Sequence, residues 1–250
     1  MEVKPWYPSD YKLALSNTLS EEEVDAFLTK PGTATRFVYG ALMLPTVLRH
    51  IIHMDPSIDI TTSMTPATLT GYKLYRYTNS GTNSGSNSGL PVIVPSSDPS
   101  ASVEGMLIFN LSEEQRNDIY EFEAGLTALI SVDVEICQQD GQSLHSLRTI
   151  EPVGTFVWQG SEDGLTPLEA SAWDIGSFLD SSFYETMVQS QNAVYAESLS
   201  SSSSRDSLRD RSDASSPSQD RGNASASSGR RWRASLDQIA EEREHGAHET

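Results

Sequence analysis

Hydrophobic and polar positions alternate along this chain in two rhythms, and the changes of rhythm outline its elements. Apolar residues recur with helical spacing at Leu44, Val47, Leu48, Ile51 and Ile52, which predicts a helix over Leu42–Met54. Pro45 suits its first turn, where no N–H is required. Just before it, Arg36-Phe37-Val38-Tyr39 is a β-rich run ended by Gly40, so strand, glycine turn and helix follow in succession. Another helix is predicted over Leu111–Glu123, opened by a capping box of Ser112 with Gln115 and ended by Gly125. A shorter one around Leu19–Leu28 has Ser20 as its cap, acids in its first turn and Glu23 at the capping-box position. Lys30-Pro31-Gly32 stops it, and it is expected outside or against the main core.

Alternation of apolar and polar residues over Thr65–Tyr77, centred on Gly71, predicts a strand with a bend. Leu90–Pro95, Ser102–Phe109, Leu129–Ile136 and Ser146–Trp158 read as further strands, and Leu168–Val188 as a closing helical segment. About six strands and three or four helices suit an α+β fold, a small mixed, mostly antiparallel, barrel-like sheet flanked by helices.

Composition sets the limits of that fold. Thr78–Gly89 (TNSGTNSGSNSG) is a low-complexity loop, and Ser198–Ser228 offers only Leu199 and Leu208 as large apolar residues. Such a stretch buries too little apolar surface to offset the entropy of ordering it. The chain therefore divides into an N-terminal extension with a short helix (1–35), a folded domain (36–190) and a disordered Ser/Arg/Asp-rich tail (191–250). Within the tail, Arg230-Arg231-Trp232-Arg233-Ala234-Ser235 reads as a phosphorylation site, a docking motif, a nuclear-import element or simply solvated chain.

The formal net charge is −18. Residues 191–250 hold 10 acidic and 8 basic side chains, which leaves −16 on residues 1–190. A field of that sign repels phosphate backbones and anionic lipid, so nucleic acid and membrane surfaces are not expected partners of the domain. With Cys137 as its one cysteine, the chain forms no internal disulfide and no cysteine-built metal site. Cys137 itself reads as a small buried residue. No apolar run approaches the length of a membrane span and no secretory leader is evident, so the cytoplasm is expected, with the nucleus as alternative. His50 and His53 are three apart on a predicted helix, but no third ligand is clearly placed, so no metal is expected. Trp158 and Trp173 read as core or cleft-wall aromatics.

Five pieces occur in a telling order: Phe37-Val38-Tyr39-Gly40-Ala41-Leu42-Met43-Leu44-Pro45, Thr68-Leu69-Thr70-Gly71-Tyr72, Pro91-Val92-Ile93-Val94-Pro95, Val103-Glu104-Gly105-Met106-Leu107 and Ile119-Tyr120-Glu121-Phe122-Glu123. Together they resemble the gamma-glutamyl cyclotransferase-like family, in particular its avirulence-induced-gene-like and fungal members. Thr155-Phe156-Val157-Trp158 and the stretch from Trp173-Asp174 to Phe178 resemble the fungal branch, so the likeness spans about residues 36 to 185.

The resemblance implies an intramolecular reaction. The free α-amine of a γ-glutamyl group attacks its own γ-carbonyl, giving 5-oxoproline and releasing an amine or amino acid. It implies Glu123 as general acid/base, a small γ-glutamyl substrate, and no metal or cofactor. A carboxyl at a helix end beside Phe122 and apolar strands is of the kind whose pKa rises by desolvation. Tyr39, Gly40, Ala41 and Leu42 are the expected substrate-binding residues, mainly through main-chain groups. Gly40 permits close approach of the backbone, and the N–H groups after it are suited to a carboxylate or oxyanion.

The sequence departs from the family where a Tyr four residues beyond the glutamate and an Arg two further on are usual. Thr127 and Leu129 stand there. Two functions remain in view, a cyclotransferase and a catalytically silent binding or interaction module on the same fold. Hydrolysis by a Glu121 and Glu123 pair is disfavoured, because residues two apart on a helix point about 200 degrees apart.

Overall fold

β1 (Ala34–Val38) runs antiparallel to β5 (Ser102–Leu111), with Phe37 opposite Leu107 and Val38 opposite Met106. The computed structural model describes residues 1–78, 90–123, 125–139 and 145–203, with side chains to 195. Most of the low-complexity loop and the tail motif Arg230–Ser235 lie outside the described residues.

Five strands close a barrel in the order β1, β5, β2 (Met64–Thr70), β6 (Thr127–Gln139) and β7 (His145–Trp158). β7 meets β1 in parallel, with Gly154 opposite Arg36, while the other pairings are antiparallel. The expected mixed, mostly antiparallel barrel is thus the fold. The predicted strand over Thr65–Tyr77 is two strands in two sheets. Gly71, at φ +78°, turns the chain out of the barrel from β2 into β3 (Tyr72–Tyr77). β3 is the centre of a three-stranded sheet between β4 (Leu90–Pro95) and the short β8 (Leu165–Pro167). β4 is an edge strand, which is where Pro91 and Pro95 are tolerated.

Alternation along the strands sorts the apolar residues into two cores. Phe37, Leu69, Leu107, Phe109, Val132, Val134, Ile136 and Val153 fill the barrel. Val38, Met106, Ile108 and Phe156 point outward, under the helices. The odd positions of β6 face solvent, so Cys137 is exposed, contrary to the expectation that it is buried. It stands opposite Leu147, itself 76% exposed.

Both capping boxes form as the sequence predicts. Ser20 and Glu23 exchange bonds at the head of α2 (Glu21–Thr29), and Ser112 and Gln115 do so before α4 (Glu113–Glu123). α1 (Ser9–Ser16) was not predicted, although Tyr11, Ala14 and Leu15 give it an apolar face that packs into the outer core. The closing helical segment expected over Leu168–Val188 contains an irregular stretch, the one-turn α5 (Gly176–Leu179) and the start of α6 (Ser182–Ser203). α6 continues past residue 190 and buries Phe183 and Met187 in the outer core. None of the described helices is long and apolar enough to cross a membrane.

Candidate active site

The turn after β1 is not the direct entry into an α-helix that its sequence predicts. Gly40–Met43 forms a 3-10 turn, and α3 begins only at Pro45 and ends at Ile51. Two constraints hold glycine at position 40. Its φ is +68°, where side chains are strained, and a Cβ there would lie 2.6 Å from Cγ of Pro91. Strand β4 therefore sits directly on the turn. In 3-10 geometry the first amides of the turn, those of Gly40 and Ala41, lack an acceptor within the helix. Leu42 is buried in the outer core, so main-chain groups are what it offers a ligand.

Tyr39 precedes the turn and is itself buried. Its hydroxyl donates to the carbonyl oxygen of Phe156 on β7 at 2.7 Å. Burial raises its pKa well above the usual value, the Glu123 charge adds to the rise, and the Ile93 amide facing the oxygen opposes it. A single phenol at the end of β1 thus touches β4 and β7 and feels the last residue of α4.

Glu123 closes α4. The residue is partly exposed, yet its carboxyl group lies deep enough that burial, the one cause acting on it, pushes its pKa up to about 7. A carboxyl with that value is divided between acid and base near neutral pH. Thr127 Oγ1 donates to the Glu123 carbonyl oxygen at 2.8 Å, bracing the backbone behind the carboxylate. Gly125, at φ +122°, makes the reversal that permits this bond. Leu129 pairs with Phe156 across β6 and β7 and is 39% exposed. Neither Thr127 nor Leu129 brings a phenol or a cation to the site.

The chain thus brings Tyr39, Gly40, Ala41 and Leu42 together on one turn and sets Glu123 within electrostatic reach of it. Pro91, Ile93 and Phe156 complete the surroundings. Pro91-Val92-Ile93 and Thr155-Phe156-Val157-Trp158 carried the signal for these three, without indicating that they act through ring contact, amide and carbonyl. Two cavities bounded by described residues, of about 550 Å³ beside Trp6 and Tyr184 and about 380 Å³ beside Arg49 and Gln191, include no residue of this site. Among the described residues, no group of three or more His, Cys, Asp or Glu is placed to hold a metal ion.

A closed five-stranded barrel with helices packed on its outside defines an α+β protein. The family model for gamma-glutamyl cyclotransferase, AIG2-like, matches residues 36–175, more than half of the chain, and the chain belongs to that family. A protein of Arabidopsis thaliana solved in solution is 20% identical, with a TM-score of 0.39 over 72% of this chain and 87% of that one. A solved gamma-glutamyl cyclotransferase is 19% identical, with a TM-score of 0.33 over 55% of this chain and 72% of its own. A yeast gamma-glutamyl cyclotransferase specific to glutathione is 13% identical, with a TM-score of 0.34 over 51% and 69% respectively. No curated protein matches the sequence.

Proposed function

We propose that the protein is a gamma-glutamyl cyclotransferase in which Glu123 is the general acid/base and the Tyr39–Leu42 turn binds the substrate. The observation that carries this reading is the Glu123 carboxyl, raised to about 7 by burial within reach of that turn. The substrate's α-ammonium gives one proton to solvent, and as the freed amine attacks the γ-carbonyl carbon the ionised carboxyl takes the second proton that this nitrogen sheds. The Gly40 and Ala41 amides receive the developing oxyanion. Glu123 then gives its proton to the departing nitrogen as the C–N bond breaks, leaving 5-oxoproline and a free amine. Because both reacting groups belong to one molecule, holding the substrate in a ring-closing pose supplies much of the acceleration.

Thr127 and Leu129 favour a second reading, a binding module that holds a γ-glutamyl compound without turnover. Thr127 spends its hydroxyl on the Glu123 main chain, and Leu129 presents an apolar side chain. Incubation with a panel of γ-glutamyl amino acids, peptides and amines, followed by mass spectrometry for 5-oxoproline, separates the two. Release from any member supports the enzyme. Uniform silence combined with thermal stabilisation by a panel member supports the binding module.

A further inference from the structure

The cavity of about 550 Å³ lies where the N-terminal segment meets the last two helices, and Trp6, Pro8, Gly176, Leu179, Asp180 and Tyr184 line it. Every one of these residues falls outside the 36–175 stretch that the family model matches, so the cavity is built from this chain's own extensions. Gly176 lets the indole come close, since a Cβ there would stand 3.1 Å from Cη2 of Trp6. Trp6 is 55% exposed, and Tyr184 is half-buried beside Phe178, with ring centroids 5.9 Å apart. Asp180 is exposed. Among the described residues the ion pairs involve the carboxylates of Glu2, Asp10, Asp25 and Glu104, and neither Asp180 nor Asp174. Lys4, on the same segment as Trp6, is held by Glu2 at 2.6 Å. Two aromatic rings and an unpaired carboxylate around one cavity suit a guanidinium, which stacks on rings and donates to a carboxylate.

The chain carries such groups itself. Arg230-Arg231-Trp232-Arg233 places three guanidiniums within four residues, in a protein whose residues 1–190 bear −16 of its net charge of −18. The length of chain allows this motif to return to the cavity. Tyr184 stands in the first turn of α6 and Ser203 at its end, 19 residues or about 29 Å of helix apart. The connection 204–229 has 26 residues, whose extended length of about 90 Å exceeds that distance threefold. Motif and cavity belong to one molecule, so they meet at an effective concentration on the order of 1 mM, at which weak contacts suffice.

We propose that the cavity between the N-terminal segment and the helices α5 and α6 is the docking site of the chain's own basic motif Arg230–Arg233. One arginine sits between Trp6 and Tyr184 and pairs with Asp180, and Trp232 packs on Pro8 and Leu179. The docking is independent of the cyclotransferase reading, because no residue of that site lines the cavity.

Trypsin tests this on the full chain, since an arginine held in a cavity does not enter the protease. Cleavage after Arg230, Arg231 and Arg233 is followed by mass spectrometry at low salt, with cleavage after Arg211 and Arg221 as references in the same tail. A contact with a Kd of about 0.1 mM leaves the motif open about one-tenth of the time at that effective concentration. Motif cleavage in the wild type should therefore be about tenfold slower than in Asp180→Lys, while the reference bonds are cut equally fast in both. Trp6→Leu, also at an exposed position, should release the motif likewise, and about 0.5 M salt should shrink the protection. Circular dichroism shows that each variant is folded, and if one is not, the other decides. Motif cleavage at the wild-type rate in the folded variants would overturn the docking. Protection that disappears on dilution of the protein would assign the cavity to the tail of a second copy and overturn the intramolecular form.

Discussion

The hydroxyl of Thr127 donates to the main-chain carbonyl of Glu123 at 2.8 Å, so the residue four places after the glutamate holds its backbone and leaves its carboxyl free. Thr127→Val keeps the shape and removes this bond. Urea unfolding should show a loss of about 1 kcal/mol. If Glu123 acts in catalysis, kcat should fall more than KM rises, because the loosened carboxyl loses its aim.

The raised pKa of Glu123 makes stability depend on pH. Its ordinary value is 4.5 and its value in the fold is about 7, so the folded state binds the proton more tightly than the unfolded chain. The stability this contributes is fully present below about pH 4.5 and is lost as pH rises through 7. Over that range the group destabilises the wild type by about 3 kcal/mol. Glu123→Gln carries no such charge. The difference in unfolding free energy between variant and wild type should therefore widen in the variant's favour from pH 5 to pH 8, and a constant difference would show an ordinary carboxyl.

Tyr39→Phe leaves the Phe156 carbonyl without its donor in a buried setting. The expected cost is about 1 to 3 kcal/mol, read by denaturant unfolding. Gly40→Ala should cost at least as much, since it forces a side chain into positive φ and against the Pro91 ring. Shortening the obstacle with Pro91→Ala in the same chain should recover the packing part of the loss and leave the backbone part.

The barrel was legible because its strands alternate and its caps are local. Ser20 with Glu23 and Ser112 with Gln115 depend on residues three apart, and both formed as the sequence predicts. What the sequence left unread depends on distant partners. Gly71 reads as a bend, but that it moves the chain between two sheets follows from the pairing of β3 with β4 and β8. The eight residues of α1 are short, and their helix is secured by tertiary burial of Tyr11, Ala14 and Leu15. Cys137 faces solvent because the inward register of Val132, Val134 and Ile136 fixes it.

The same division holds at the site. Tyr39, Gly40 and Glu123 stood out in the sequence, while Thr127 and Leu129 registered only as departures from a pattern. The Thr127 bond to Glu123 and the contact of Pro91 with Gly40 leave no mark in the sequence, since each joins segments through a turn or a strand edge.

The most direct test of the account is the rate of 5-oxoproline release by purified wild type and Glu123→Gln, each shown to be folded, on the best member of the γ-glutamyl panel across pH 5 to 8. The wild-type kcat/KM should rise with pH and level off above about 7 as Glu123 ionises, and the variant should release essentially none. A variant that forms 5-oxoproline at the wild-type rate would contradict the assignment of Glu123 as the acid/base.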